Sequence, residues 1–228
     1  MKYKQPTALV SAVTAALALP LLYRRAFTPW QRHWGATVDE QLRVMPGDDF
    51  VLAPDYVTTR AITVDAPPEA VYPWLVQMGY QRGGLYSYDF LDRLFGFLDA
   101  SSSKVILPQF QDLQPGGEIP VGRGKPFPVK DLKKDEYLLL AGEEDKFRWT
   151  WSTALYPTGD GQTRLVTRNM SSGGGRGLTH RVMLFGIDLA AFIMVRRWLK
   201  VLKGRAETLY WETPVDAAAA TPVDGAAV

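Results

Sequence analysis

The chain has no cysteine. Disulfides, thiolate nucleophiles and cysteine-held metals are therefore excluded, while the redox compartment stays open, since a reducing or an oxidising one suits such a chain equally. Histidine is almost as scarce: His33 lies in the N-terminal part and His180 beside a glycine-rich loop. Neither has an evident partner in sequence, and no His-Glu-x-x-His or Gly-x-Ser-x-Gly motif exists. Gly122-Arg123-Gly124-Lys125 lacks the spacing and the following Ser or Thr of a phosphate loop and reads as a basic turn. Asp48-Asp49 and Glu143-Glu144-Asp145 read as solvated turn residues. The chain thus demands no metal and no cofactor. An excess of one charge is missing too. With 26 basic against 24 acidic side chains the formal charge is +2, too little to argue for a nucleic-acid partner.

Apolar residues make up 46% of 228, enough for one domain with a sizeable core plus appendages. Residues 1–26 hold an uncharged apolar run of 17 residues, Thr7 to Tyr23, with Lys2 and Lys4 before it and Arg24 and Arg25 after it. A membrane span needs about 17–25 such residues, so a membrane anchor is expected. A cleaved signal peptide and a helix packed on the domain are the alternatives. Basic residues directly after the run disfavour export of the downstream chain, which favours a domain on the cytoplasmic side of the membrane. Residues 27–56 read as a connector, in which Trp30 and Trp34 suit a membrane interface or cap the domain, and Thr37 and Glu40 are spaced as a capping box. Residues 57–212 carry the folded domain. The tail 213–228 has no aromatic residue and no persistent amphipathic pattern, and reads as disordered. Oligomeric state leaves no signal.

Within the domain, Thr58–Asp65 predicts a first strand. Pro67-Pro68 then starts a helix to Met78, with Val71, Trp74, Leu75 and Met78 on one stripe. Tyr86–Phe97 predicts a second short helix. Lys125–Leu132, Glu136–Ala141, Lys146–Tyr156 and Gln162–Met170 predict successive strands, and their short turn-rich links imply an antiparallel meander. Ser171–Gly177 reads as a flexible break. Arg181–Arg205 predicts a long closing helix whose later turns gather Arg196, Arg197, Lys200, Lys203 and Arg205. Its apolar part, Val182 to Val195, is short for a span and is expected to pack on the sheet.

This order of elements resembles the START-like (SRPBCC) helix-grip superfamily, the polyketide cyclase/dehydrase and lipid transport group, in its bacterial branch with an added N-terminal membrane segment. Two stretches carry the resemblance: Ile62-Thr63-Val64-Asp65-Ala66-Pro67-Pro68-Glu69-Ala70-Val71-Tyr72-Pro73-Trp74-Leu75, and the closing helix from Phe192-Ile193-Met194-Val195-Arg196-Arg197 through Ala206-Glu207. The resemblance implies an α+β fold in which a curved antiparallel sheet wraps a long C-terminal helix and encloses an apolar pocket. Members range from lipid carriers to aromatase/cyclases and hydrolase-like proteins, so the resemblance does not choose a reaction.

Strand parity supplies the candidate site. In Lys146–Tyr156 the residues Phe147, Trp149, Trp151, Thr153 and Leu155 share one face, which must point inward. Indoles on a concave sheet face suit a flat or aliphatic ligand, or pack on the closing helix. Arg60 shares parity with the inward Ile62 and Val64. An inward guanidinium needs a partner, and Asp89, Asp92, an anionic ligand head and solvent at the sheet rim are the options. Arg168 is a further candidate of undecided parity, because Leu165 and Val166 place apolar residues on both faces of its strand. After Gly83-Gly84, the set Tyr86, Tyr88 and Asp89 offers two phenols and a carboxylate at an expected pocket mouth, although Ser87 or Asp89 opening the next helix explains the same pattern. The leading expectation is a non-catalytic, membrane-tethered domain for an apolar or amphipathic small molecule, lipid- or polyketide-like. A cyclase- or hydrolase-type enzyme using the Tyr/Asp/Arg set is the alternative. A third class is an interaction module whose cationic closing helix touches anionic lipid or a partner.

Overall fold

The computed structural model of the chain describes residues 23–174 and 178–212. The expected membrane segment up to residue 22, residues 175–177 of the glycine-rich break, the side chain of His180 and the tail 213–228 lie outside the described residues. A π-helical turn, Tyr23–Phe27, runs into α1 (Thr28–Arg32), followed by α2 (Val38–Leu42), β1 (Tyr56–Val64), α3 (Pro68–Val76) and α4 (Asp89–Leu94). Then come β2 (Glu118–Ile119), β3 (Phe127–Lys133), β4 (Tyr137–Glu144), β5 (Phe147–Pro157), β6 (Thr163–Ser172) and α5 (Leu178–Glu212). The sheet is antiparallel in the order β1-β6-β5-β4-β3-β2. This is an α+β architecture with a long C-terminal helix on one face of the sheet, consistent with a helix grip.

The elements follow their local chemistry. Pro67 is extended, and Pro68 at the helix start loses no bond by lacking an N–H. Val71, Trp74 and Leu75 of α3 are all fully buried; side chains of this kind gain about 1.5–3 kcal/mol each on burial. They join Val64, Leu138, Leu140, Leu155 and Leu165 from the concave sheet face and Trp198, Leu199 and Leu202 from α5 in one core. The short helix after the double glycine is shorter than its sequence suggests, because Tyr86 takes a left-handed φ of 53° and blocks an earlier start. The two-residue β2 hides in a loop rich in Ser, Gly and Pro.

Residues 27–56 are more than a connector. Gln31, Met45 and Val51 are buried, and the segment lies along β1 and over the convex face of the sheet. The Ala61 N–H on the outer edge of β1 donates to Trp34 O at 3.1 Å, which covers an otherwise open strand edge. Gly35 makes this possible: its φ is +73°, and a Cβ there would stand 2.1 Å from Ala61 O. The capping box of α2 forms as its sequence predicts, with Glu40 N–H donating to Thr37 and Thr37 N–H to Glu40. Among the described residues no helix is long and apolar enough to cross a membrane.

Candidate functional site

The concave face near the β4–β5 hairpin carries a group of large aromatic rings. Phe127 of β3 meets Trp149 edge-on at 5.6 Å between centroids and Trp151 at 5.7 Å. Trp151 meets Trp198 of α5 at 5.3 Å. Parity places Trp149, Trp151, Thr153 and Leu155 on this face, where Trp149, Trp151 and Leu155 pack with the main core. Trp151 and Trp149 are only partly buried, and so is Phe127. The rings therefore make a wall with solvent on one side. Trp151 is aimed by its indole N–H, which donates to Thr167 Oγ1 at 2.9 Å; Thr167 is in turn 3.3 Å from Thr153 Oγ1. Trp149 is aimed by an absence. Its register partner across the ladder is Gly142, and a Cβ at Gly142 would stand 2.7–2.8 Å from three indole atoms. The indole thus lies flat on a bare stretch of β4. Phe147, at the strand start, is 42% exposed and stands at the edge of this wall.

Arg60 points to the same side as Ile62 and Val64 but is consumed internally. It is 1% exposed, its Nε donates to Gln31 O at 2.9 Å, and its guanidinium lies 5.5 Å from the Phe192 ring centre. Its acidic neighbour is Asp188 of α5, at 4.0 Å, and not Asp89 or Asp92. Asp188 also accepts from Gln31 Nε2, from Arg32 Nε and Nη2, and from Tyr56 Oη at 2.6 Å. Burial, then the bond to Asp188, pushes the Tyr56 phenol up to about 12. These contacts fasten α1 and β1 to the early part of α5. The sequence carried a signal for this partner: Asp188 is the sole acid between Val182 and Val195.

Arg168 faces the other way. On the convex side it donates to Thr59 Oγ1, to the carbonyls of Glu40, Gln41 and Arg43, and to Asp48 at 2.6 Å. Arg164 beside it grips Glu40 and Gly35 O. Both are staples holding the N-terminal segment, and Asp48, expected to be solvated, is one of their anchors.

Tyr86, Tyr88 and Asp89 turn to three separate partners. Tyr86 is fully buried; its Oη accepts from Gln77 Nε2 at 2.6 Å, its ring meets Trp74 edge-on, and burial raises its phenol to about 12. Asp89 does not cap its helix; it accepts from Ser102 N–H at 3.0 Å and Ser102 Oγ at 2.6 Å, pinning the loop after α4. Tyr88 is 39% exposed beneath the guanidinium of Arg197 at 5.6 Å. Among the described residues no group of three or more His, Cys, Asp or Glu side chains is placed to hold a metal ion. Sequence reasoning missed Phe127, Gly142 and Trp198 as parts of the wall, since their role depends on cross-strand register and on the rotation of α5.

No family model matches the sequence, and no curated protein matches it. Among solved structures the chain is similar to a hypothetical protein from Helicobacter pylori, at 13% identity over 72% of this chain and 95% of that one, with a TM-score of 0.44. It is similar to the Zhui aromatase/cyclase from Streptomyces sp. R1128, at 16% identity over 67% and 94%, with a TM-score of 0.38. It is also similar to CalU16 from Micromonospora echinospora, at 13% identity over 68% and 86%, with a TM-score of 0.33. At these scores the helix-grip architecture stands on the strand order and helix packing of the chain itself.

Proposed function

We propose that this chain binds an apolar or amphipathic small molecule, without turning it over, against the aromatic wall between the sheet and α5, and that residues 7–23 tether it to a membrane with the domain on the cytoplasmic side. One observation carries the reading: Phe127, Trp149 and Trp151 are stacked edge-to-face on the concave sheet face and left partly uncovered. Such a surface loses free energy to water and gains it from a flat or aliphatic ligand. Three features support a binding role over a catalytic one. Tyr86 is sealed in the core, Asp89 is spent on Ser102, and Arg60 is spent on Gln31 and Asp188. The tether is supported by the 17-residue apolar run and its flanking cations.

The test is titration of the detergent-free protein with a polycyclic aromatic probe, read by quenching of tryptophan emission, with a long-chain fatty acid as competitor. Saturable, competable binding is expected, and Trp149→Ala should weaken it at least fivefold with the circular dichroism unchanged. Absence of saturable binding, or equal affinity in Trp149→Ala, overturns the reading.

A further inference from the structure

The outward stripe of α5 changes character along its length. Gly186, Ile187, Ala190 and Ile193 are exposed, with Ile187 at 54% and Ile193 at 44%. At the same three-to-four-residue spacing the stripe continues as exposed Arg197 and Lys200. Arg196, one residue off the stripe, turns instead to the Trp34 ring at 5.1 Å. The opposite side of the helix carries buried Asp188 and Phe192. Beside the apolar half stands Trp30, 51% exposed and edge-on to Phe192 at 5.4 Å. Beside the cationic half lies Tyr88, the residue before α4, under the Arg197 guanidinium at 5.6 Å.

Single exposed apolar side chains need no explanation, but a row of them along one helix, continued by Trp30, does. Three facts indicate what covers them. The apolar run of residues 7–23 leads directly into Phe27 and Trp30, which pack on Phe192, so the run joins the domain at the apolar end of the stripe. The exposed charges on the stripe are cations alone, and the acid of that helix segment, Asp188, is buried and occupied by Gln31, Arg32 and Tyr56. And α5 is not long and apolar enough to cross a bilayer, so its fit is to lie on one: isoleucines and an indole at the acyl boundary, arginine and lysine at the headgroups. We propose that the outer stripe of α5, from Ile187 to Lys200, with Trp30 beside its apolar half, docks on an anionic lipid surface. This orients the domain on the membrane and turns the outer side of α5 toward the bilayer. It rests on the tether reading, which brings the surface into reach.

Absence of native cysteine permits a clean test in the full chain. Ile193→Cys, and Gly159→Cys in the β5–β6 turn where a side chain meets only open space, are each labelled with an environment-sensitive nitrobenzoxadiazole fluorophore. Each is then mixed with vesicles of phosphatidylcholine alone or with phosphatidylglycerol, and flotation of the protein is measured in parallel. The expected result is a blue shift and at least a threefold rise in emission at position 193 on the phosphatidylglycerol vesicles. It should be reduced at least threefold by Arg197→Gln with Lys200→Gln, and no change should occur at position 159. A protein that floats while position 193 stays silent overturns the docking and leaves the tether standing. A response at 193 that persists when Leu9, Val10 and Leu17 are changed to Asp, which disables the apolar run, supports the docking and shows that the stripe reaches the lipid without the tether. Emission at 193 already blue-shifted without vesicles, and unmoved by them, assigns the stripe to another part of this chain or to a second copy and overturns the proposal.

Discussion

On the concave face the strands present Ile62, Val64, Leu138, Leu140, Trp149, Trp151 and Leu165; on the convex face the same strands present Thr59, Ala61, Thr150, Ser152, Arg164 and Arg168. The first set meets α3 and α5 through non-directional apolar contact and leaves its aromatic end partly uncovered. The second set meets residues 35–48 through directional bonds from two arginines to backbone carbonyls and acids. The two sides therefore respond differently to damage. A change at the convex arginines leaves buried donors or acceptors unpaired, whereas a change at the partly uncovered aromatic end of the concave face alters mainly exposed ring area, which costs less stability and more binding. A surface kept for a ligand is expected to be of the second kind.

The largest effect should come from Arg168→Met. The side chain is 5% exposed, and its loss unpairs three carbonyls and leaves Asp48 with only the Met45 N–H. Breaking a buried pair by removing one partner costs about 3–5 kcal/mol, so the urea midpoint should fall sharply while the wall survives in whatever fraction stays folded. A loss below about 1 kcal/mol, the range of an exposed pair, would show that the convex staple is dispensable and would erase the contrast between faces.

Gly142→Ala strikes the other face and should cost less. The new Cβ collides with the Trp149 indole. That ring is only partly buried, so it can swing outward, and the cost should stay near the lower end of the roughly 1–3 kcal/mol of overpacking. Probe binding should suffer as much as in Trp149→Ala. If stability falls as far as in Arg168→Met, the wall is core and not a surface held open for a ligand. If binding is unchanged, Trp149 is not part of the site.

Legibility divides along the same line. The facing of Trp149, Trp151 and Leu155 was readable because a strand alternates and only one parity was apolar. The proline-started helix, the capping box at Thr37 and the closing helix were readable because each is a local pattern. Arg168 was not, because Leu165 and Val166 made both faces of β6 apolar; the reason is that the N-terminal segment covers the convex face, a contact spanning more than a hundred residues. The inward direction of Arg60 followed from parity, but its acid sits on α5 and not in the nearer Asp89–Asp92 stretch. Tyr86 was placed at a pocket mouth from its glycine neighbours, whereas those glycines serve to press the chain against it: a Cβ at Gly83 would stand 2.3 Å from its Oη.

The smallest effect contrasts two buried acids, Asp92 of α4 and Asp188 of α5. Both are buried, but Asp188 gathers donors from three residues, while neither carboxyl oxygen of Asp92 has a hydrogen bond of good geometry. Burial raises the Asp92 carboxyl above its ordinary value, helped by the nearby charge of Asp89 and opposed by the Ser87 hydroxyl. Because the folded value lies above the unfolded one, the stability tied to this proton is fully present below the unfolded value near 3.8. It is lost as pH rises through the folded value, where the folded state must ionise a buried carboxyl that has only the nearby Ser87 hydroxyl to help it. Asp92→Asn cannot ionise. Its melting temperature relative to the native chain should therefore climb as pH is raised from 4 through the titration of Asp92 and then level off. A difference that stays flat across that range would mean that Asp92 finds a partner in solution, and α4 would then be as well satisfied as the convex face.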